Sequence, residues 1–230
     1  MMRKIETREA GRMRLYSLLF LLEMVGNAAF AISGVMVARD HHMDLFGAVL
    51  LGCTTACGGG VIRDLLLGQI PPAMFVNPVY VIVAFVISAI VFTIEYICKV
   101  NGTVTSRLDK TKGATDRVLN AADSIGLAAF VVVGYQAAAK AGYASNGFLC
   151  IFVGVITGIG GGIMRDMLAG QMPLIMRKRV YGVAAIAGGI IYYICVQCGA
   201  AIAAASIVSI AATILLRFLA IHRRWNLPSL

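Results

Sequence analysis

Seven long apolar runs constrain this sequence more than any other feature. Each run is about 19 to 24 residues long, and at about 1.5 Å per residue a helix of this length crosses the roughly 30 Å hydrocarbon core of a membrane. Helices are expected because an isolated helix satisfies its own backbone hydrogen bonds in lipid, whereas a short strand cannot. The runs cover residues 15–37, 45–68, 79–98, 118–139, 148–170, 180–198 and 200–221.

The composition excludes most soluble classes of protein. Of the 230 residues, 60% are hydrophobic and 13% are charged, whereas soluble domains average about 45–50% apolar and about 25% charged residues. An ordinary cytosolic enzyme, a disordered tail and a secreted disulfide-rich mini-protein are therefore ruled out. The runs leave no room for a catalytic domain outside the membrane, and no nucleotide loop or Ser/His/Asp set is visible. We expect a function inside the membrane and no enzyme activity.

The net charge of +9 indicates membrane topology rather than nucleic-acid binding, because the Lys and Arg residues gather at the ends of apolar runs. No nucleic-acid partner is expected, and anionic lipid head groups are the natural partners of these side chains. Six basic residues fall on the side of the N-terminus and twelve on the opposite side. The positive-inside rule then predicts an external N-terminus and a cytoplasmic C-terminus. The twelve are Arg39, Lys99, Arg107, Lys110, Lys112, Arg117, Arg177, Lys178, Arg179, Arg217, Arg223 and Arg224.

The chain contains an internal repeat. Residues 54–73 read TTACGGGVIRDLLLGQIPPA and residues 156–175 read ITGIGGGIMRDMLAGQMPLI, with ten of twenty positions identical at an offset of 102. Upstream, EMVGNAAFAISG at 23–34 matches DSIGLAAFVVVG at 123–134, with five identities at an offset of 100. Each unit holds three runs, and an odd number inverts the second unit across the membrane, a pattern of proteins that form a pathway near the midplane.

The repeat divides the chain into parts. We predict a polar N-terminal tail at 1–14, a first three-helix repeat at 15–98, a basic solvent loop at 99–117, an inverted second repeat at 118–198, a seventh helix at 200–221 and a C-terminal tail at 222–230. The fold class is therefore an all-α polytopic membrane protein.

Two glycine triplets lie midway along the second and fifth runs. Glycine costs about 1 kcal/mol relative to alanine in a helix, so three in succession predict a break or kink. A break would free backbone carbonyls, which can replace the hydration shell of a cation. The alternative is close packing of helices through small residues. The triplets are Gly58, Gly59, Gly60 and Gly160, Gly161, Gly162.

An Arg-Asp pair follows each triplet: Arg63-Asp64 and Arg165-Asp166. A charge at membrane depth costs at least about 2.5–3.5 kcal/mol, so each needs a partner or water. Because adjacent residues on a helix do not face each other, we predict crossed pairs, Arg63 with Asp166 and Arg165 with Asp64. The repeated acids Glu23 and Asp123 are the alternative partners. The network serves as a structural lock, as the lining and gate of a wet pathway, or as both.

Other polar and aromatic residues suggest no further chemistry. Gly68 and Gly170, each followed by Gln-x-Pro, should end their helices. The six cysteines all fall in apolar runs and are interpreted as small buried thiols; Cys195 and Cys198 lack the His or acidic neighbours that a metal site needs. The aromatic residues that suit interfacial belts are Tyr80, Tyr96, Tyr181, Tyr192, Tyr193 and Trp225.

The doubled motif resembles that of the bacterial relatives of the trimeric intracellular cation channels, a family that also carries the label "glycine transporter domain". The resemblance rests on E/D-x-x-G-x-A-A-F-A-x-S-G, G-G-G-x-x-R-D and G-I-G-G-G-I-M-R-D-M-L-A-G-Q-M-P, and covers nearly the whole chain. The first repeat departs from the second in having Glu23 where Asp123 stands.

The resemblance implies seven helices, a homotrimer in the plasma (inner) membrane of a prokaryote, and a pore in each subunit lined by the kinked second and fifth helices. It implies permeation of K⁺ and Na⁺, no cofactor, and membrane lipid, including bound lipid, as a partner. It assigns the six triplet glycines to the pore kinks and Arg63, Asp64, Arg165 and Asp166 to the pore charges. A glycine transporter that uses the same pathway is the alternative, since a zwitterion fits beside an Arg and an Asp. A structural or lipid-organising protein is a third class.

Overall fold

The protein is a bundle of α-helices. The computed structural model describes the backbone at residues 2–100, 108–177 and 180–223, and the side chains at 17–100, 116–176 and 180–223. Its elements are α1 (Met2–Asp40), α2 (Leu45–Leu66), α3 (Ala73–Val76), α4 (Val79–Val100), α5 (Leu108–Ala138), a π-helical turn (Ala139–Tyr143), α6 (Gly147–Leu168), α7 (Leu174–Arg177), α8 (Val180–Gln197) and α9 (Ile202–His222).

The seven predicted spans are confirmed. Within the described residues, seven helices are long and apolar enough to cross a membrane: α1 from Ser17, α2, α4, α5 from Asp116 with its π-helical turn, α6, α8 and α9. The tail and the loop differ from the prediction, because α1 extends back to Met2 and α5 begins at Leu108. Residues 101–107, Arg224 and Trp225 lie outside the described residues.

The helices form two equivalent groups: α1, α2, α3 and α4 in the first repeat, and α5, α6, α7 and α8 in the second. The central contacts are α1 with α2 and α5, and α6 with α2 and α5, so the two repeats meet along their first two long helices. The seventh spanning helix, α9, packs mainly on α8 and α5 and therefore covers the second repeat.

Matching residues begin and end the matching helices. The Asp44 carboxylate accepts a hydrogen bond from the Gly47 N–H at 2.7 Å and starts α2, and the Asn146 side chain accepts from the Leu149 N–H at 3.0 Å and starts α6. The predicted helix ends are confirmed. Gly68 and Gly170 have φ angles of 69° and 67°, a conformation that favours glycine, and each terminates its helix.

The predicted break at the glycine triplets is wrong. Both α2 and α6 are continuous α-helices through their triplets, so their carbonyls remain in the helical hydrogen-bond ladder. A bend without a break stays a prediction.

Candidate ion pathway

The central glycine of each triplet lies where α2 crosses α6. A Cβ atom added to Gly59 would stand 2.2 Å from the Thr157 carbonyl oxygen, and one added to Gly161 would stand 2.1 Å from the Thr55 carbonyl oxygen. The two backbones are therefore in direct contact, in a nearly symmetric arrangement. The alternative of close packing through small residues explains these two glycines, and the crossing is closed in this structure.

The other four glycines of the triplets are less confined. An added Cβ would meet only the flexible Met164 side chain at Gly58, while at Gly60 its nearest neighbour would be the Arg63 guanidinium at 3.9 Å. At Gly160 it would lie 3.1 Å from the end of Ile62, and at Gly162 3.3 Å from the Tyr181 hydroxyl. Gly60 and Gly162 thus flank the two charge networks.

The first-repeat network joins α1, α2 and α4. Arg63 donates from Nε to Asp64 Oδ1 at 2.7 Å and from Nη1 to Glu23 Oε1 at 3.3 Å. The Tyr80 hydroxyl donates to Glu23 Oε2 at 2.7 Å. Two carboxylates thus surround one guanidinium.

The second-repeat network has the same plan. Arg165 donates from Nε to Asp166 Oδ1 at 2.8 Å and from Nη1 to Asp123 Oδ1 at 2.8 Å. Nη1 also contacts the Ser33 hydroxyl of the first repeat. Arg165, Asp123 and Asp166 are all completely buried, so this network is sealed.

The predicted crossed pairs are wrong. Arg63 pairs with Asp64 and Glu23, and Arg165 pairs with Asp166 and Asp123, all within one repeat. The guanidinium carries several donors at the end of a flexible stem, so the side chain folds back and Nε reaches the carboxylate of the next residue. The alternative partners Glu23 and Asp123 are confirmed.

Each aspartate of the motif also holds the segment that follows its helix. Asp64 Oδ2 accepts from the Ala73 N–H at 2.8 Å, and Asp166 Oδ2 accepts from the Leu174 N–H at 2.7 Å. Gln171 also donates to Asp166 at 3.0 Å. The carboxylates therefore fix the start of the short helices α3 and α7, which accounts for the Arg-Asp-x-x-x-Gly-Gln-x-Pro order of the motif.

Sequence reasoning missed Arg217. It was counted among the charges at the membrane surface, but it is 2% exposed in α9. Its Nη2 lies 3.5 Å from Asp123 Oδ2, its Nε donates to the Ser124 hydroxyl at 3.2 Å, and its guanidinium stacks 4.4 Å from the centre of the Tyr181 ring. Asp123 is thus shared between two arginines.

A polar stripe on α9 could have revealed this residue. Ser206, Ser209, Thr213 and Arg217 recur at helical spacing on one face of an otherwise apolar helix, and all four are buried. Two interfacial assignments are also wrong, because Tyr181 and Tyr192 are buried. Among the cysteines, all free thiols, Cys98 and Cys198 are exposed rather than buried.

An open cavity adjoins the first-repeat network. It has an empty volume of about 360 Å³, including its mouth. The lining residues are Glu23, Asn27, Ala56, Cys57, Gly60, Arg63, Asp64, Ala73, Met74, Tyr80 and Phe130. Among the described residues, no group of three or more His, Cys, Asp or Glu side chains could hold a metal ion.

An aromatic pair separates this cavity from the helix crossing. Phe130 lines the cavity, and its ring centre lies 5.3 Å from that of Phe30. Phe30 in turn lies 3.2 Å from the position of a Cβ on Gly161. The two rings therefore extend from the cavity lining to the helix crossing.

Comparison with known proteins identifies the family. The glycine transporter family model matches twice, at residues 20–96 and 120–197, which correspond to the two repeats. The chain is 37% identical over 216 residues to the inner membrane protein YadS of Escherichia coli, covering 92% of this chain and 96% of that one. It is 36% identical over 213 residues to a membrane protein of Vibrio cholerae, covering 93% and 83% of the two chains.

Solved structures agree with this assignment. A TRIC trimeric intracellular cation channel orthologue from Rhodobacter sphaeroides superimposes with a TM-score of 0.79 at 32% identity, covering 91% of this chain and all of that one. A structure from work on conductance through TRIC cation channels gives a TM-score of 0.73 at 36% identity, covering 91% and 96%. These relatives are membrane and channel proteins rather than enzymes. The chain therefore belongs to the glycine transporter family and is a bacterial member of the TRIC family.

Proposed function

We propose that this protein is a channel for monovalent cations, K⁺ and Na⁺, with a pathway through each subunit of a homotrimer. The observation that carries the proposal is the close contact between α2 and α6, flanked by one charge network at an open cavity and by a second that is completely buried. The likeness to TRIC channels at 31–36% identity over more than nine-tenths of this chain supports it.

The cation pathway begins at the open cavity of the first repeat. There the carboxylates of Glu23 and Asp64 outnumber the single guanidinium of Arg63, which favours cations over anions. Phe130 and the crossing at Gly59 and Gly161 then block the way, so conduction requires α2 and α6 to separate.

The protein sits in the inner membrane with its second repeat inverted, its N-terminus outside and its C-terminus in the cytoplasm. Removing the buried Arg217 from the count of surface charges leaves eleven basic residues on the cytoplasmic side against six outside, so the positive-inside rule gives the same orientation. Membrane lipid, including bound lipid, is the partner that surrounds the protein.

Flux through purified protein in liposomes tests this function. Vesicles loaded with KCl should take up ⁸⁶Rb⁺ down an imposed gradient, whereas protein-free vesicles should not. Phe130→Ala should increase the initial rate because it removes one of the two rings before the crossing. Phe92→Ala, which truncates a ring stacked on Tyr96 in the peripheral helix α4, is the matched control and should leave the rate unchanged.

A glycine transporter predicts different results. Saturable uptake of labelled glycine without Rb⁺ flux would overturn the channel proposal, and so would the absence of both activities. An equal rate in Phe130→Ala and Phe92→Ala would place the pathway elsewhere.

A further inference from the structure

The cavity of the first repeat carries unbalanced charge. Its lining includes two carboxylates, Glu23 and Asp64, and one guanidinium, Arg63. Lys140, on the exposed π-helical turn, is within electrostatic range of Glu23 and Arg63, but it does not line the cavity. The lining therefore has one negative charge in excess.

The second repeat shows how such an excess is neutralised. There the corresponding acids, Asp123 and Asp166, face two guanidinium groups, because Arg217 of α9 adds its charge to that of Arg165. Because α9 packs mainly on the second repeat, it places no arginine in the first-repeat lining. Beside Asp123 stands the Arg217 guanidinium, whereas beside Glu23 stand the Tyr80 hydroxyl and the open cavity.

A buried amide oxygen in the same cavity lacks a partner. Asn27 is 2% exposed and lines the cavity, and its Oδ1 has no hydrogen-bond partner among the described residues. Its Nδ2 donates to the Tyr80 carbonyl at 3.2 Å, and because a carbonyl can only accept, this contact fixes which end of the amide is Oδ1. The matching position in the second repeat is the buried, apolar Leu127, so this amide oxygen has no counterpart there.

We propose that this cavity is a binding site for one monovalent inorganic cation, held by the Glu23 carboxylate and Asn27 Oδ1. Carboxylate and amide oxygens are the ligands that hard cations prefer. Arg63 already donates from Nε to Asp64 and from Nη1 to Glu23, while Asn27 Oδ1 keeps no protein partner in the described part of the chain and is left for a bound cation. The inference rests on the proposed function, since it names where the conducted ion binds.

Cation-dependent stability of the purified protein tests the site without requiring conduction. Thermal unfolding in detergent, followed by circular dichroism, is measured while KCl replaces N-methylglucamine chloride at constant ionic strength. Because a ligand that binds only the folded state stabilises it, the unfolding midpoint should rise with K⁺ and saturate. Glu23→Gln should raise the half-saturating K⁺ concentration by about tenfold or more.

Two further variants make the test specific. Asn27→Leu installs the residue of the second repeat and should also raise the half-saturating K⁺ concentration. Glu95→Gln makes the same chemical change at an acid paired with Arg39, away from the cavity, and should retain it. If the variants do not fold, equilibrium binding of ⁸⁶Rb⁺ to the unmodified protein should give about one ion per chain.

The outcomes separate the site from the channel. If Rb⁺ flux occurs but K⁺ does not shift the unfolding midpoint and Rb⁺ does not bind, the binding-site proposal is overturned and the channel proposal stands. A saturable shift that needs more K⁺ in Glu23→Gln, without Rb⁺ flux in the unmodified protein, supports the binding site and overturns the channel proposal. An equal shift in Glu23→Gln and the unmodified protein, or a shift produced by glycine and not by K⁺, overturns the site.

Discussion

Replacing Gly59 by alanine tests the contact between α2 and α6 with a single methyl group. The new Cβ would stand 2.2 Å from the Thr157 carbonyl oxygen, whereas real Cβ atoms essentially never come within 3.0 Å of such a neighbour. The obstacle is backbone, so the two helices must move apart. Overpacking of this kind costs about 1–3 kcal/mol, and the better helix propensity of alanine returns about 1 kcal/mol, which leaves a net loss of up to about 2 kcal/mol.

Gly60→Ala is the matched control, one residue along the same helix. Its added Cβ has no neighbour closer than the Arg63 guanidinium at 3.9 Å, so the variant should gain up to about 1 kcal/mol from helix propensity. Gly161→Ala should repeat the loss, because its Cβ would lie 2.1 Å from the Thr55 carbonyl oxygen. The stabilities of the three purified variants are compared by following their unfolding with circular dichroism. Equal stability of Gly59→Ala and Gly60→Ala would refute the backbone contact.

Two more predictions follow from the repeat and from α9. Cysteines can be introduced at the exposed, repeat-related positions Ile70 and Met172 in a background without exposed native cysteines. They should react with an impermeant maleimide from opposite sides of the membrane. Labelling of both from one side would exclude inversion. Arg217→Met should reduce the free energy of unfolding by about 3 kcal/mol, near the lower end for a broken buried pair because Asp123 retains its other arginine. The exposed Arg223→Met should change stability by less than about 0.5 kcal/mol, and similar losses in both variants would contradict the buried role.

The spans and helix ends could be predicted because each depends on local chemistry. A run of apolar residues has only the helix available in lipid, and Gly68 and Gly170 mark helix ends through a backbone conformation that other residues rarely adopt. The prediction of a break at the triplets was wrong because glycine has two effects: it lowers helix propensity, and it permits the close approach of two helix backbones. At Gly59 and Gly161 the second effect decides, since a neighbouring backbone occupies the space of the missing side chain.

The pairing of the charges could not be derived from spacing alone. Helical geometry separates Arg63 from Asp64, yet the guanidinium bridges that separation and reaches Glu23 on another helix. Sequence reasoning missed Arg217 because this residue lies near the end of the last apolar run, where basic residues usually lie at the membrane surface. Only the polar stripe along α9 distinguishes it from a surface charge. Which acid an arginine meets depends on how the helices pack.

The charges have different surroundings in the two repeats, which bears on whether they form a structural lock or line a wet pathway. In the second repeat, Arg165 is completely buried, Asp123 is shared with Arg217, and every carboxylate oxygen of Asp123 and Asp166 accepts from or pairs with the protein. That arrangement suits a lock, because each buried carboxylate oxygen has a fixed partner. In the first repeat, every carboxylate oxygen of Glu23 and Asp64 also has a protein donor, but the motif borders an open cavity and lacks the second guanidinium. A single added helix, α9, thus supplies a second guanidinium to one copy of a duplicated unit, while the other copy keeps an open cavity beside its charges.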